Sequence, residues 1–81
     1  MSKPTPPTLS QAVEQSLQHY FDHLNGEMPT SLHQMVIYEV EKTLFESVMK
    51  LTGGNQSRAA EILGINRNTL RSRLAKFELL E

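Results

Sequence analysis

Two short runs of this chain hold the residue types that can grip a polyanion or read the edge of a base. The first opens at Asn55 and Ser57. The second carries Asn66, Arg67, Thr69, Arg71, Arg73 and Lys76. An arginine fork can bond a guanine edge at two points, an asparagine can do the same with adenine, and a threonine hydroxyl suits a base or a phosphate. The spacing puts each run at the start of a short helix. Asn55 is an N-cap for a helix over 56–63, and Asn66 is an N-cap for a helix over 67–77. Between them Gly64 allows a sharp turn with positive φ, and Ile65 is placed to plug the corner. Two short helices, a three- or four-residue turn with glycine, and polar residues at the start of the second helix make the pattern of a helix-turn-helix, whose second helix enters the major groove.

The same pattern defines an inward face. Leu70, Leu74 and Phe77 stand at i, i+4 and i+7, so one stripe of the last helix is apolar. Asn68, Thr69, Ser72 and Lys76 then point away from the core, and Arg67, Arg71 and Arg73 flank that outer face on long stems. Ala59 and Ala60 are small enough to let the two helices approach closely. A helical hairpin whose arginines only meet solvent is the competing account. The glycine corner, two asparagine caps and one-sided charge weigh against it.

Charge is divided along the chain. The formal net charge is −1, but residues 1–49 set Lys3 and Lys42 against Glu14, Asp22, Glu27, Glu39, Glu41 and Glu46, a net of −4. Residues 50–77 set Lys50, Arg58, Arg67, Arg71, Arg73 and Lys76 against Glu61 alone, a net of +5. A short chain polarised in this way offers one region to a polyanion and another to a different partner.

The elements that hold the pair of short helices lie upstream. Met1–Pro7 contains three prolines and no periodicity, which predicts a disordered arm. Thr8 and Gln11 form a capping box, and Leu9, Val13, Leu17, Tyr20 and Leu24 recur at helical spacing up to the Asn25-Gly26 stop. This predicts a first helix over 9–24. Ser31 and Gln34 suggest a second capping box, opening a helix from Leu32 to Leu51, about 30 Å long. On that helix Leu32, Val36, Val40, Leu44 and Val48 form one ridge, while Met35, Ile37, Tyr38, Phe45, Met49 and Leu51 spread apolar surface beyond it. A helix apolar around most of its girth must be covered on several sides. Crossing its own copy in a two-fold dimer is the economical way to do so. Thr52-Gly53-Gly54 ends it.

Size and composition narrow the function. With 81 residues, 38% of them apolar, and only five Phe and Tyr, the chain has one small core, of the kind that usually needs a partner subunit. It has no cysteine, which excludes disulfides and thiolate metal sites and suits a reducing cytoplasm. No apolar run approaches the roughly 18 residues of a membrane span, and MSKPTPPT lacks the apolar segment of a secretory signal. His19 and His23 share a helix face with Asp22 nearby, but spacing supplies no third metal ligand, so they read as a surface pair. No nucleophile motif or phosphate-cradling glycine loop is present. Neither a metal, a cofactor nor catalysis is expected.

The string GNQSRAAEILGINRNTLRSRL (residues 54–74) resembles the C-terminal DNA-binding segment of the Fis family (factor for inversion stimulation), bacterial nucleoid-associated proteins. It also resembles the DNA-binding end of bacterial enhancer-binding transcription activators. The likeness extends through YFDHLNG and VIYEVEKTLFESVMKLTGGNQ, covering about residues 9–77, which favours the stand-alone family. The resemblance implies an all-α homodimer with an intertwined core of the first two helices. It further implies two recognition helices in adjacent major grooves, closer than a full turn of DNA, so that binding bends the duplex. By position, Asn66, Arg67, Thr69 and Arg71 match the family's groove and phosphate contacts, and Asn55 and Ser57 its backbone clamp. Gly53 stands where the family often has a basic residue, and Ser72 and Ala75 where lysines are common. Fewer phosphate contacts weaken binding and flatten its salt dependence. The family's N-terminal β-hairpin touches a DNA invertase; Met1–Thr8 is too short and proline-rich for it, which puts that contact in doubt here.

The expectation is therefore an arm over 1–8, a two-helix dimerisation core over 9–52 built on Leu32, Val36, Val40, Leu44 and Val48, and a helix-turn-helix over 53–81. Its function would be DNA binding and bending with low sequence stringency, in transcription control at the cytoplasmic nucleoid. The alternatives are a protein-interaction module or the DNA-binding end of an enhancer-binding activator.

Overall fold

The computed structural model describes residues 5–80 and contains four helices and, among those residues, no strand: α1 (Leu9–Asp22), α2 (Leu32–Leu51), α3 (Gln56–Leu63) and α4 (Arg67–Lys76). The expected disordered arm falls partly, over residues 1–4, outside the described residues. Residues 5–8 carry no regular secondary structure. The chain forms two compact units, residues 1–30 and 31–81.

In the first unit the capping box forms in full. The Gln11 amide donates to Thr8 Oγ1 at 3.1 Å, and the Thr8 amide donates to Gln11 Oε1 at 2.8 Å, so two amides that the helix leaves without partners are satisfied. The helix stops at Asp22, two residues short of the predicted end. Its stop is a tight turn, in which the Glu27 amide donates to the Leu24 carbonyl at 3.1 Å. Asn25 and Gly26 take φ of 53° and 85° there, the paired positive φ of a type I′ turn, to which Asn-Gly is suited. Leu24 thus belongs to the turn. Val13, Leu17 and Tyr20 of the expected stripe are half-buried and Leu9 is exposed.

The second unit holds the core. Phe45 and Val48 of α2, Ala59 and Ala60 of α3, Leu70 and Leu74 of α4, and Phe77 just beyond it are buried together. Burial of a side chain such as Leu70 or Leu74 stabilises the fold by about 1.5–3 kcal/mol. The predicted bounds of α2 and α3 are those observed. The second capping box is not: Ser31 makes no side-chain cap bond. Its ψ of 39° departs from the extended backbone of Thr8 (ψ 164°), which aims a cap hydroxyl at the first-turn amides.

All three helices of this unit end by one device, a Schellman closure in which a left-handed residue lets two amides fold back on the last turn. At α2 the residue is Gly53 (φ 63°), with the Gly54 amide donating to the Met49 carbonyl at 2.9 Å. At α3 it is Gly64 (φ 71°), with Ile65 donating to Ala60 at 3.1 Å. At α4 it is Glu78 (φ 58°), with Leu79 donating to Leu74 at 2.7 Å. Ile65 and Leu79 then pack on the core as the apolar partners of their closures.

The outer surface of α2 is divided. Tyr38, Phe45, Val48 and Met49 turn toward the core and its aromatic cluster. Ile37, Val40, Leu44 and Leu51 are 40%, 36%, 46% and 74% exposed, and at i, i+3, i+7 and i+14 they line one narrow seam. The ridge expected from Leu32 to Val48 is thus split, because its i+4 steps drift around the helix. Val48 lies in the chain's own core, and Val40 and Leu44 belong to the open seam.

Candidate nucleic-acid interface

The corner between α3 and α4 consists of Gly64, Ile65 and Asn66. Asn66 has extended backbone and accepts a hydrogen bond from the Asn68 amide at 2.7 Å. Asn55 does the same for α3, accepting from the Arg58 amide at 3.0 Å. Both caps are exposed. Each cap leaves other first-turn amides of its helix without an intrahelical partner, pointing along the positive end of the helix dipole.

Inward packing fixes which side chains face out. Leu70 and Leu74 have no exposed surface and Phe77 is 2% exposed, so the stripe expected from spacing is the buried one. Arg67, Asn68, Thr69, Arg71, Ser72 and Lys76 are all exposed. Arg67 and Arg71 form no ion pair among the described residues, which leaves two guanidinium forks at the first turns of α4. The Lys76 ammonium lies 5.5 Å from the Phe77 ring centre, a cation–π distance that draws its stem along the helix end. Ser57 is exposed at the first turn of α3 beside its cap. The structure thus brings Asn66, Arg67, Thr69 and Arg71 together at the start of α4, with Asn55 and Ser57 at the start of α3.

Arg73 differs from the other arginines of α4. Its Nη1 lies 3.8 Å from Glu41 Oε2 on α2, and it is half-buried. Helical period alone puts Arg73 on the flank of the outer face and gives no sign of this partner, because Glu41 is 32 positions away and nothing local marks it. Arg58, 3.6 Å from Glu61 one turn along α3, is the other arginine paired among the described residues. That pair was legible as an i, i+3 spacing.

Elsewhere, the rings of His19 and His23 are 4.4 Å apart, and His23 Nδ1 is 2.7 Å from the His19 carbonyl oxygen. Among the described residues no group of three or more His, Asp or Glu is arranged to hold a metal ion. No described helix is long and apolar enough to cross a membrane.

A helical unit with a glycine-cornered α3–α4 pair, capped at both N-termini and basic on its outer face, defines a helix-turn-helix protein. Residues 37–77 match the family described as "Bacterial regulatory protein, Fis family", and residues 1–29 match the "DNA-binding protein Fis N-terminal domain". The chain belongs to the Fis family. It is 49% identical over 76 residues to a Fis-like DNA-binding protein of Neisseria meningitidis serogroup A, covering 94% of this chain and 96% of that one. A Fis-like DNA-binding protein of Pseudomonas aeruginosa is 48% identical over 73 residues, 90% of this chain and 70% of its own length. DNA-binding protein Fis of Proteus mirabilis is 48% identical over 69 residues, 85% and 70% respectively.

Proposed function

We propose that this protein binds double-stranded DNA as a homodimer, lays α4 in the major groove and bends the duplex, acting as a nucleoid-associated regulator of transcription. The observation that carries the reading is the outer face of α4. Asn66, Arg67, Thr69 and Arg71 are exposed at its first turns, above a stripe buried enough to hold the helix rigidly. Arg67 is the base reader, set at the N-terminal end where a recognition helix meets base edges. Asn66, Thr69 and Arg71 take phosphates or neighbouring edges, and Asn55, Ser57 and the open amides of α3 clamp the backbone. Lys76 adds charge at the far end. Two relatives whose names describe them as Fis-like DNA-binding proteins support the same assignment.

Pairing follows from α2. Its seam of Ile37, Val40, Leu44 and Leu51 is apolar and open in the single chain, and a second copy crossing there would cover it on both protomers at once. Each α4 then becomes half of a clamp. Spacing between the halves selects DNA that deforms readily, so sequence preference comes as much from bendability as from base contacts.

A gel-shift titration on random duplex tests the central claim. Binding is expected to weaken steeply with added salt. Absence of any shift at low salt would point instead to a protein-interaction module. Equilibrium sedimentation tests the pairing: the natural chain is expected as a dimer at micromolar concentration, and Leu44→Glu as a folded monomer. Permuted-fragment mobility tests bending, which a straight complex would contradict.

A further inference from the structure

Arg73 carries positive charge on the helix assigned to DNA, yet its geometry gives it a different partner. On α2, Tyr38, Glu41 and Phe45 stand at i, i+3 and i+7, along one face. The rings of Tyr38 and Phe45 hold Phe77 at 5.0 and 5.8 Å. On α4, Arg73 is one turn before Phe77 and on the same side. The Glu41–Arg73 pair at 3.8 Å therefore extends the contact between α2 and the end of α4 by one helical turn toward the recognition surface. The Glu41 side chain is 27% exposed and that of Arg73 44%. The pair is thus partly shielded from solvent. Arg67 and Arg71, by contrast, are exposed and lie outside this contact.

We infer that Glu41 and Arg73 form a strut that sets the tilt of α4 on α2, so that Arg73 serves DNA binding as a positioning residue through Glu41 and not as a phosphate contact. Leu70, Leu74 and Phe77 seat α4 on the core along one stripe, and a contact beside that stripe fixes how the helix leans about it. The groove-reading residues sit at the N-terminal end, where a small change of tilt displaces them most. The strut restrains that tilt from Arg73, in the last turn of the helix. This inference rests on the DNA-binding reading for its affinity readout, and its own geometry can be read in the free protein.

Four variants of the full chain, Glu41→Gln, Arg73→Gln, the two combined, and the charge swap Glu41→Arg with Arg73→Glu, test it by gel shift across a salt series. Each neutral variant is expected to weaken binding by about two- to fivefold. The double neutral variant should be no worse than either single one, and the swap should recover most of the loss. The salt slope should stay at its natural value in Arg73→Gln. A slope reduced by about 1 in that variant, as for a lost phosphate contact, overturns the inference. So does tighter binding by Glu41→Gln, or a swap that binds worse than either single variant. Hydrogen exchange of the free protein supplies the DNA-independent readout: α4 amides exchange faster in both neutral variants and α3 amides do not. Unchanged α4 exchange overturns the strut. If the natural chain fails to bind DNA while α4 exchange does respond, the strut stands and the DNA-binding reading falls.

Discussion

The ring of Phe77 meets that of Tyr38 edge-on, 5.0 Å apart at 64°, so that the residue closing α4 is anchored on the long helix α2. Edge-to-face pairs of this kind add about 0.5–1.5 kcal/mol beyond the area they bury. Phe45 flanks the same ring at 5.8 Å. The helix-turn-helix is therefore not a free-standing pair but packs along α2 from Tyr38 to Val48, and the stability of one depends on the other.

Phe77→Ala removes this anchor from a site 2% exposed. It is expected to cost about 3–5 kcal/mol, measured as a loss of urea stability at fixed protein concentration, and to abolish the gel shift at 37 °C. An affinity within twofold of the natural protein would show that α4 does not depend on α2.

Gly64 and Glu78 occupy the same left-handed position in two Schellman closures, at φ 71° and 58°. A Cβ built on Gly64 meets nothing within 4 Å, so Gly64→Ala carries only the backbone penalty, about 1–2 kcal/mol. Glu78→Gly relieves that penalty and gives up some unfolded-state restraint, for a net gain of about 0.5–1 kcal/mol. Guanidinium midpoints moving in opposite directions check the pair. A Glu78→Gly variant less stable than the natural chain would contradict it.

Thr8 and Ser31 precede helices of similar sequence pattern, but only Thr8 makes a side-chain cap. Thr8→Ala is expected to cost about 0.5–2 kcal/mol of helix stability, visible in circular dichroism on warming. Ser31→Ala should stay within about 0.5 kcal/mol of the natural protein. Equal losses would mean that Ser31 caps α2 after all.

Arg67 and Arg71 are both exposed and unpaired among the described residues, and their proposed roles differ. Arg67→Ala should lower affinity for a selected site by about 1–3 kcal/mol and narrow the gap to random DNA. Arg71→Ala should weaken all duplexes alike and reduce the salt slope by about 1. Competition titrations against random duplex separate the two. Identical behaviour of Arg67→Ala on both DNAs removes its base-reading role.

Local chemistry made much of this legible. The caps at Thr8, Asn55 and Asn66 need only a side-chain oxygen two or three residues before the amide it accepts. The buried stripe of Leu70, Leu74 and Phe77 follows from helical period. What escaped was non-local or conformational. Ser31 has the right side chain, but its backbone is turned by the loop before it. The closure at Glu78 uses a residue that rarely takes positive φ, tolerated because Leu79 buries itself on the core.

The sequence alone determined four helices, the glycine corner and the outward set at the start of α4, because each is fixed by contacts within a few residues. It also placed the excess of positive charge in residues 50–77. Only the tertiary structure decided which face of α2 is used and which is left open. A helix with apolar residues on several sides is ambiguous until something packs on it. Once Phe77, Leu70 and Leu74 claim Phe45 and Val48, Ile37, Val40, Leu44 and Leu51 remain as the open seam, and Arg73 is left facing Glu41.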